Sequence, residues 1–281
     1  PMASGLDAPW AVGYAATDST LPTSPSAAGP EHTLLLCETV HARLTGRTVE
    51  EYKVTGELRL LISSTTEATA ASALAPTATP APSFCIRLKN AQRVEQIKVN
   101  EHVVKASDSG AYTISPPPSD GIPAARAKPV PLLKYVATTR SRAIPLFVDA
   151  RLHAGELHTS LEPNAELQSA LRDVSLLAET GAVADSCRCD HGAGAAYDGL
   201  GRVVEWRLAD LGSAAELCPV ALEGARGGAE VLAQVPMRAK FSCDGVTISG
   251  LELDVQMGEG GGPVAQLKRR FVSGVYEYRS S

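Results

Sequence analysis

The sequence predicts an all-β protein of sandwich type, and two observations carry that prediction. Apolar and polar residues alternate at period two in run after run, the pattern of a half-buried antiparallel strand. The runs are short and separated by turn residues, which leaves no room for the long helical crossovers that α/β architectures need.

In chain order, Leu34, Leu36, Val40, Ala42 and Leu44 share one face of the first strand, with Glu38 as the exception in that row. Tyr52, Val54, Gly56, Leu58, Leu60 and Ile62 line one face of the next, and Lys53, Thr55, Glu57 and Arg59 take the other. Phe84, Ile86 and Leu88 oppose Cys85, Arg87 and Lys89. Ile144, Leu146, Val148, Ala150 and Leu152 follow, and then Val204, Trp206 and Leu208, where a tryptophan sharing a face with two aliphatic residues is predicted to be core. Met237, Ala239, Phe241 and Cys243 precede Leu251, Leu253, Val255 and Met257, whose intervening Glu252, Asp254 and Gln256 face water. One segment disagrees: Leu167, Leu171, Val174 and Leu177 recur at helical intervals, so spacing alone predicts an amphipathic helix over 165–177.

Between the strands lie irregular stretches. Residues 63–83, rich in Ser, Thr, Ala and Pro, bury too little apolar surface to offset their ordering entropy, and read as a mobile insertion. The leader at 1–32 reads as flexible too, although Trp10 and Tyr14 are large enough to dock on the domain. Pro116 to Pro131 reads as a surface connector and Gly258 to Pro263 as a glycine turn. That turn is no phosphate cradle, because it lacks the GxxxxGK[ST] pattern and a following helix.

The chain ends on Leu267-Lys268-Arg269-Arg270-Phe271-Val272, then Ser273-Gly274, then Val275-Tyr276-Glu277-Tyr278-Arg279. Strand alternation sends Lys268 and Arg270 to one face and Arg269 to the other, beside Leu267 and Phe271. Such a strand is either an edge whose charges prevent self-association or a docking surface for an acidic peptide.

Composition narrows the class further. The 281 residues are 44% hydrophobic and carry a net charge of −5, which argues against bulk nucleic-acid binding while allowing a local basic patch. No apolar run approaches the roughly 18 residues of a membrane span. Cys37, Cys85, Cys187, Cys189, Cys218 and Cys243 lie mostly in strand-like runs, which suits a reducing cytosol. Nothing at the N-terminus resembles a signal peptide, and Pro1-Met2 reads as a cloning scar ahead of an internal segment, as in a domain cut from a longer protein.

Catalytic constellations are weak. There is no GxSxG elbow, and His32, His41, His102, His153, His158 and His191 form no HExxH or comparable spacing. Cys187, Cys189 and His191 with Asp185 or Asp190 offer soft ligands within a few residues, the nucleus of a metal-dependent reading. Structural zinc sites draw ligand pairs from separate elements, and without a second pair the cluster reads as a polar loop. No cofactor is expected.

Glu38-Thr39-Val40-His41-Ala42-Arg43-Leu44-Thr45-Gly46 followed by Val54-Thr55-Gly56-Glu57-Leu58 resembles the opening strands of a mu-homology domain, the cargo-binding part of clathrin-adaptor medium chains. Phe84 to Leu88, Leu132-Leu133-Lys134-Tyr135 with Ile144-Pro145-Leu146, Val204-Glu205-Trp206-Arg207-Leu208 and Ser273 to Glu277 resemble later segments of that family in the same order, covering about Thr33 to Arg279. The Glu-Thr-Val opening and the Lys-Arg-Arg-Phe-Val-Ser-Gly ending are most similar to muniscins, endocytic adaptors that join an N-terminal F-BAR domain to this kind of domain.

That resemblance implies an elongated, all-β mu-homology domain of two antiparallel β-sandwich subdomains, the second inserted into the first. Residues 33–149 and 236–281 would form subdomain A and residues 150–235 subdomain B, with 165–177 as loop plus strand instead of helix. It also implies no pocket for tyrosine-based sorting signals, since Lys268 and Arg270 stand where that pocket needs a tryptophan and an arginine. The remaining cations suit carboxylates. The expectation is therefore a non-enzymatic, cytoplasmic adaptor recruited to clathrin-coated pits at the plasma membrane. It would bind Asp-Pro-Phe motifs of scaffold proteins, or transmembrane cargo tails, through Lys268, Arg270, Lys240 and Arg93, with the membrane held mainly by an F-BAR region. The alternative is a membrane-surface module that turns Arg87, Lys89, Lys98 and Arg93 toward anionic lipid.

Overall fold

The computed structural model describes residues 32–62, 83–115, 129–137, 143–153, 156–180, 186–189, 195–198, 200, 202–223, 235–257 and 266–279. The leader, the insertion apart from Ser83, most of the proline-rich connector and the glycine turn at 258–263 lie outside them, as do Asp185, Asp190 and His191 of the metal reading. Among the described residues the regular structure is strand, apart from one 3-10 turn at Ala91–Arg93.

Two compact units emerge, each assembled from three segments: 1–36, 55–137 and 250–268 in the first, and 37–54, 138–249 and 269–281 in the second. This interleaving is finer than a single insertion at 150–235. Strands β1 (His32–Thr45), β2 (Thr48–Ile62) and β17 (Gln266–Arg279) are 14, 15 and 14 residues long and give part of their length to each unit. Alternation marks such a strand but not which half packs where.

In the first unit, one sheet runs in the order β16 (Glu252–Met257), β3 (Phe84–Lys89), β6 (Ala111–Ile114), β5 (Val104–Ala106). The other places β4 (Val94–Val99) beside β7 (Val130–Ala137), which neighbours β2. Phe84, Ile86 and Leu88 are buried while Arg87 and Lys89 are exposed, so the alternation read from sequence sets the face of β3. Fully buried Tyr135 fills the space where a β-carbon on Gly56 would stand. Gly56→Ala is accordingly expected to cost about 1 to 3 kcal/mol by overpacking, seen as a lower urea midpoint at unchanged m-value.

In the second unit, β12 (Ala195–Asp198), β13 (Val203–Leu211), β10 (Leu171–Glu179), β15 (Pro236–Asp244), β17, β1 and β2 follow one another in one sheet. The second sheet runs β11 (Ser186–Cys189), β14 (Ala215–Glu223), β9 (Glu156–Pro163), β8 (Leu146–His153). Trp206 is wholly buried, level with Leu176 across the β10–β13 pair. Phe241 meets Phe271 and Tyr276 edge-on, with centroids 6.4 and 5.0 Å apart, and the Tyr276 hydroxyl donates to the Leu146 carbonyl of β8.

The helical spacing at 165–177 has a structural origin. Residues 164–170 are loop, and β10 is a strand that pairs with β15 through a register shift between Arg172 and Ser175. The extra residue, with Asp173 at φ 50°, leaves Arg172 and Asp173 both exposed and returns Leu171 and Val174 to the same buried side. A strand with a bulge thus shows apolar residues three apart, and the loop-plus-strand reading implied by the family resemblance holds.

Glu38, the exception in the first strand's row, is fully buried with its neighbours. Its carboxylate accepts the backbone N–H groups of Ile248 and Ser249 at 2.6 and 3.1 Å and the hydroxyl of Ser249, so it holds the bend that follows β15. On the outer side of β1, the His41 ring fills the space beside Gly274 that a side chain there would need, and its Nδ1 accepts the Val275 N–H at 3.1 Å. Ser273 accepts the Phe241 N–H through Oγ at 3.0 Å, where the β15–β17 register shifts.

That geometry requires a neutral imidazole, and burial followed by the charge of Lys53 pushes the His41 pKa below its ordinary value. A base with a depressed folded pKa binds more protons unfolded than folded. Its stabilisation is therefore complete above about pH 6.5 and is lost as pH falls through the lowered folded value. Urea melts at pH 7.5 and 5.5 should show this loss, and His41→Gln, which keeps an acceptor without titrating, should flatten it.

Candidate functional site

The cations expected to form the site are divided between the two units. Lys268 and Arg93 belong to the first unit, Arg270 and Lys240 to the second. Lys268 is exposed on β17. Arg270 stands opposite Asp244 in the β15–β17 register with Nε 3.5 Å from its carboxylate, and Arg172 contacts that same carboxylate at 3.5 Å. Arg270 is thus half-buried in an ion-pair network that stitches β15 to β17, whereas Lys268, two residues before it, is exposed.

Lys240 is exposed on β15, level with Ser175 on β10. Ser175 donates to Glu205 at 3.0 Å, and Arg207 makes two 2.9 Å hydrogen bonds to that carboxylate. Arg207 first, then Ser175, hold the Glu205 carboxyl below its ordinary pKa, with Lys240 adding to the effect. Lys240 thus sits in the field of a carboxylate that is already satisfied. Arg93 lies against Gly250, whose carbonyl accepts from Asn90 Nδ2 at 3.1 Å. It covers a backbone turn.

The alternative basic surface is divided as well. On β3, Arg87 and Lys89 face Asp254 and Glu252 of β16 in register, and Lys89 comes within 3.8 Å of Asp254. Lys98 sits in the other sheet of that unit, on β4 opposite Lys134 of β7. These three cations form no continuous patch, and two of them face acids.

Sequence reasoning missed a different cluster. Arg47, at the hairpin between β1 and β2, lies over the Phe147 ring at 5.4 Å and pairs with Glu162 of β9. Arg151 of β8 pairs with Asp149 at 3.0 Å beside it. Tyr278 lines the same cleft. The second unit also holds a cavity of about 890 Å³ between the loops at 164–170 and 211–214, with Ile144, Phe147 and Leu211 among its walls. No spacing rule links positions 47, 147, 151 and 278, so only the fold brings them together.

Two units, each with strands in two sheets and fed by shared long strands, define a mu-homology domain. The chain belongs to the family of muniscin C-terminal mu homology domains, whose model matches residues 34–279. The zebrafish (Danio rerio) Fcho1 mu homology domain, solved with a bound Eps15 peptide, has this fold at a TM-score of 0.60 and 20% identity, over 90% of this chain and 98% of that one. The yeast delta-COP-I mu-homology domain matches at a TM-score of 0.58 and 13% identity over 90% and 100%, and its complex with a Dsl1 WxWxV peptide at 0.57 with the same identity and coverage. No curated protein matches the chain. No helix among the described residues is long and apolar enough to cross a membrane.

Proposed function

We propose that this domain is a non-enzymatic adaptor module of early clathrin-mediated endocytosis that captures acidic, Asp-Pro-Phe-type motifs of scaffold proteins and, in addition, membrane cargo tails. It works in the cytoplasm at plasma-membrane coated pits, and attachment to lipid falls to an F-BAR region of the muniscin kind. The observation that carries this reading is membership of the muniscin family, one of whose relatives by fold, Fcho1, was solved with an Eps15 peptide. The extended ligand would lie against β17, with exposed Lys268 meeting its carboxylates. Rim contacts of this sort are worth about 0 to 1 kcal/mol each, so single motifs bind at micromolar level and repeats supply avidity.

Lys268→Glu is the clean test, because it reverses an exposed charge without touching the Asp244 network that Arg270→Glu would disturb. Titration with an Asp-Pro-Phe repeat peptide should show affinity falling about tenfold, equivalent to about 1.4 kcal/mol, at unchanged melting temperature. Raising salt should weaken wild-type binding in the same direction. Unchanged affinity in the folded variant would move the site away from β17.

A further inference from the structure

We infer that β4 is a docking edge for a second ligand, an extended peptide segment in which an acidic side chain stands between two apolar ones and which joins the sheet as a further strand. This goes beyond the adaptor reading above and uses none of the residues placed on β17.

Among the described residues β4 ends its sheet, with β7 on one side only. The bonds to β7 fix which backbone groups are left over. Asn100, the residue after β4, continues the β4–β7 register and donates its N–H to the Leu132 carbonyl at 2.8 Å. Bonded and non-bonded positions alternate along an antiparallel pair, so Lys98 and Gln96 also turn their N–H and C=O groups toward Lys134 and Val136 of β7. The N–H and C=O groups of Ile97 and Val99 therefore point to the open side. They are the template that an incoming strand needs.

Side-chain faces then dictate the guest. Lys98 stands directly opposite Lys134, where like charges repel, and Lys98 makes no ion pair among the described residues. A guest residue level with Lys98 shares its face, so a carboxylate there relieves the repulsion. The guest residues on either side of it fall level with Ile97, which is 37% exposed, and Val99, which is half-buried, on the opposite face. The pattern selected is apolar, acidic, apolar.

Other occupants fit less well. A second copy of the chain, pairing β4 with β4 about Ile97 or Val99, would set its Lys98 diagonally beside the first on one face, the way an edge lysine blocks self-association. Lys134 lies on an interior strand, where a blocking charge has no use, so the two lysines also select a guest of opposite sign. An anionic bilayer would meet Glu95 and Glu101, both exposed at the ends of the strand. An Asp-Pro-Phe segment places a proline beside the acid and lacks the N–H that this edge would receive.

The test is a titration of the whole domain with the capped peptide acetyl-Thr-Val-Glu-Ile-Thr-amide, read by calorimetry and by amide hydrogen exchange. Saturable binding below about 1 mM is expected, with the Ile97 and Val99 amides gaining protection while the Lys98 amide, bonded to β7, is protected in both states. Replacing the peptide's glutamate by lysine, or its valine by proline, should weaken binding at least tenfold. Lys98→Glu should do the same in a folded domain, since the side chain is exposed. Lys268→Glu should leave this binding unchanged, so the β4 edge and the Asp-Pro-Phe reading fail separately. The proposal is overturned by no saturable binding, by protection at other strands in place of Ile97 and Val99, by unaltered affinity in folded Lys98→Glu, by protection that follows protein concentration without peptide, or by sedimentation with phosphatidylserine vesicles in place of peptide binding.

Discussion

Trp206→Ala lowers the stability of the domain by about 3 to 5 kcal/mol, the range for emptying a large aromatic site in a core that cannot collapse to fill it. The indole is wholly buried on β13, level with Leu176 of β10 and Ala195 of β12, so its loss opens the junction of three strands. Its Nε1 has no hydrogen-bond partner among the described residues, so the indole contributes by volume and apolar area alone. Trp206→Phe, which keeps an aromatic ring and removes the unpaired N–H, should recover more than half of the loss. Denaturant unfolding of both variants checks the pair, and a melting temperature for Trp206→Ala within a degree or two of wild type would contradict the placement.

Glu38→Ala is expected to cost about 3 kcal/mol. Three donors, the Ile248 and Ser249 amides and the Ser249 hydroxyl, lose their acceptor in a buried place, at about 1 to 3 kcal/mol each, while release of the carboxylate's desolvation offsets part of the sum. Glu38→Gln turns an amide N–H2 toward donors and should restore only part of the stability. Hydrogen exchange at the Ile248 and Ser249 amides gives a local readout, since both should lose protection in Glu38→Ala before global unfolding.

Much of the fold was legible because burial on a strand follows a period of two. The row Leu34, Leu36, Glu38, Val40, Ala42, Leu44 is buried without interruption, and Glu38 stood out in the sequence as a polar residue at a core position. Its partners did not, since backbone amides two hundred residues away leave no mark in composition. The bulge at Asp173 mimicked helical spacing, and the division of β1, β2 and β17 between units lies below what alternation resolves.

The site was less legible. The pairing of Arg270 with Asp244 was not legible, because the neighbours of Arg270 in sequence say nothing of the residue across the strand pair. Arg87 and Lys89 of β3 looked like part of a patch until register set acids opposite them.

The function proposed for this muniscin-family domain is capture of acidic scaffold peptides without binding to lipid. The direct measurement is calorimetric titration of the wild-type domain with a three-repeat Asp-Pro-Phe peptide and its Asn-Pro-Phe counterpart, beside sedimentation with phosphatidylserine vesicles. Micromolar binding to the first peptide, at least tenfold weaker binding to the second, and no sedimentation with vesicles are expected. Sedimentation with vesicles and equal or absent binding of the two peptides would contradict it.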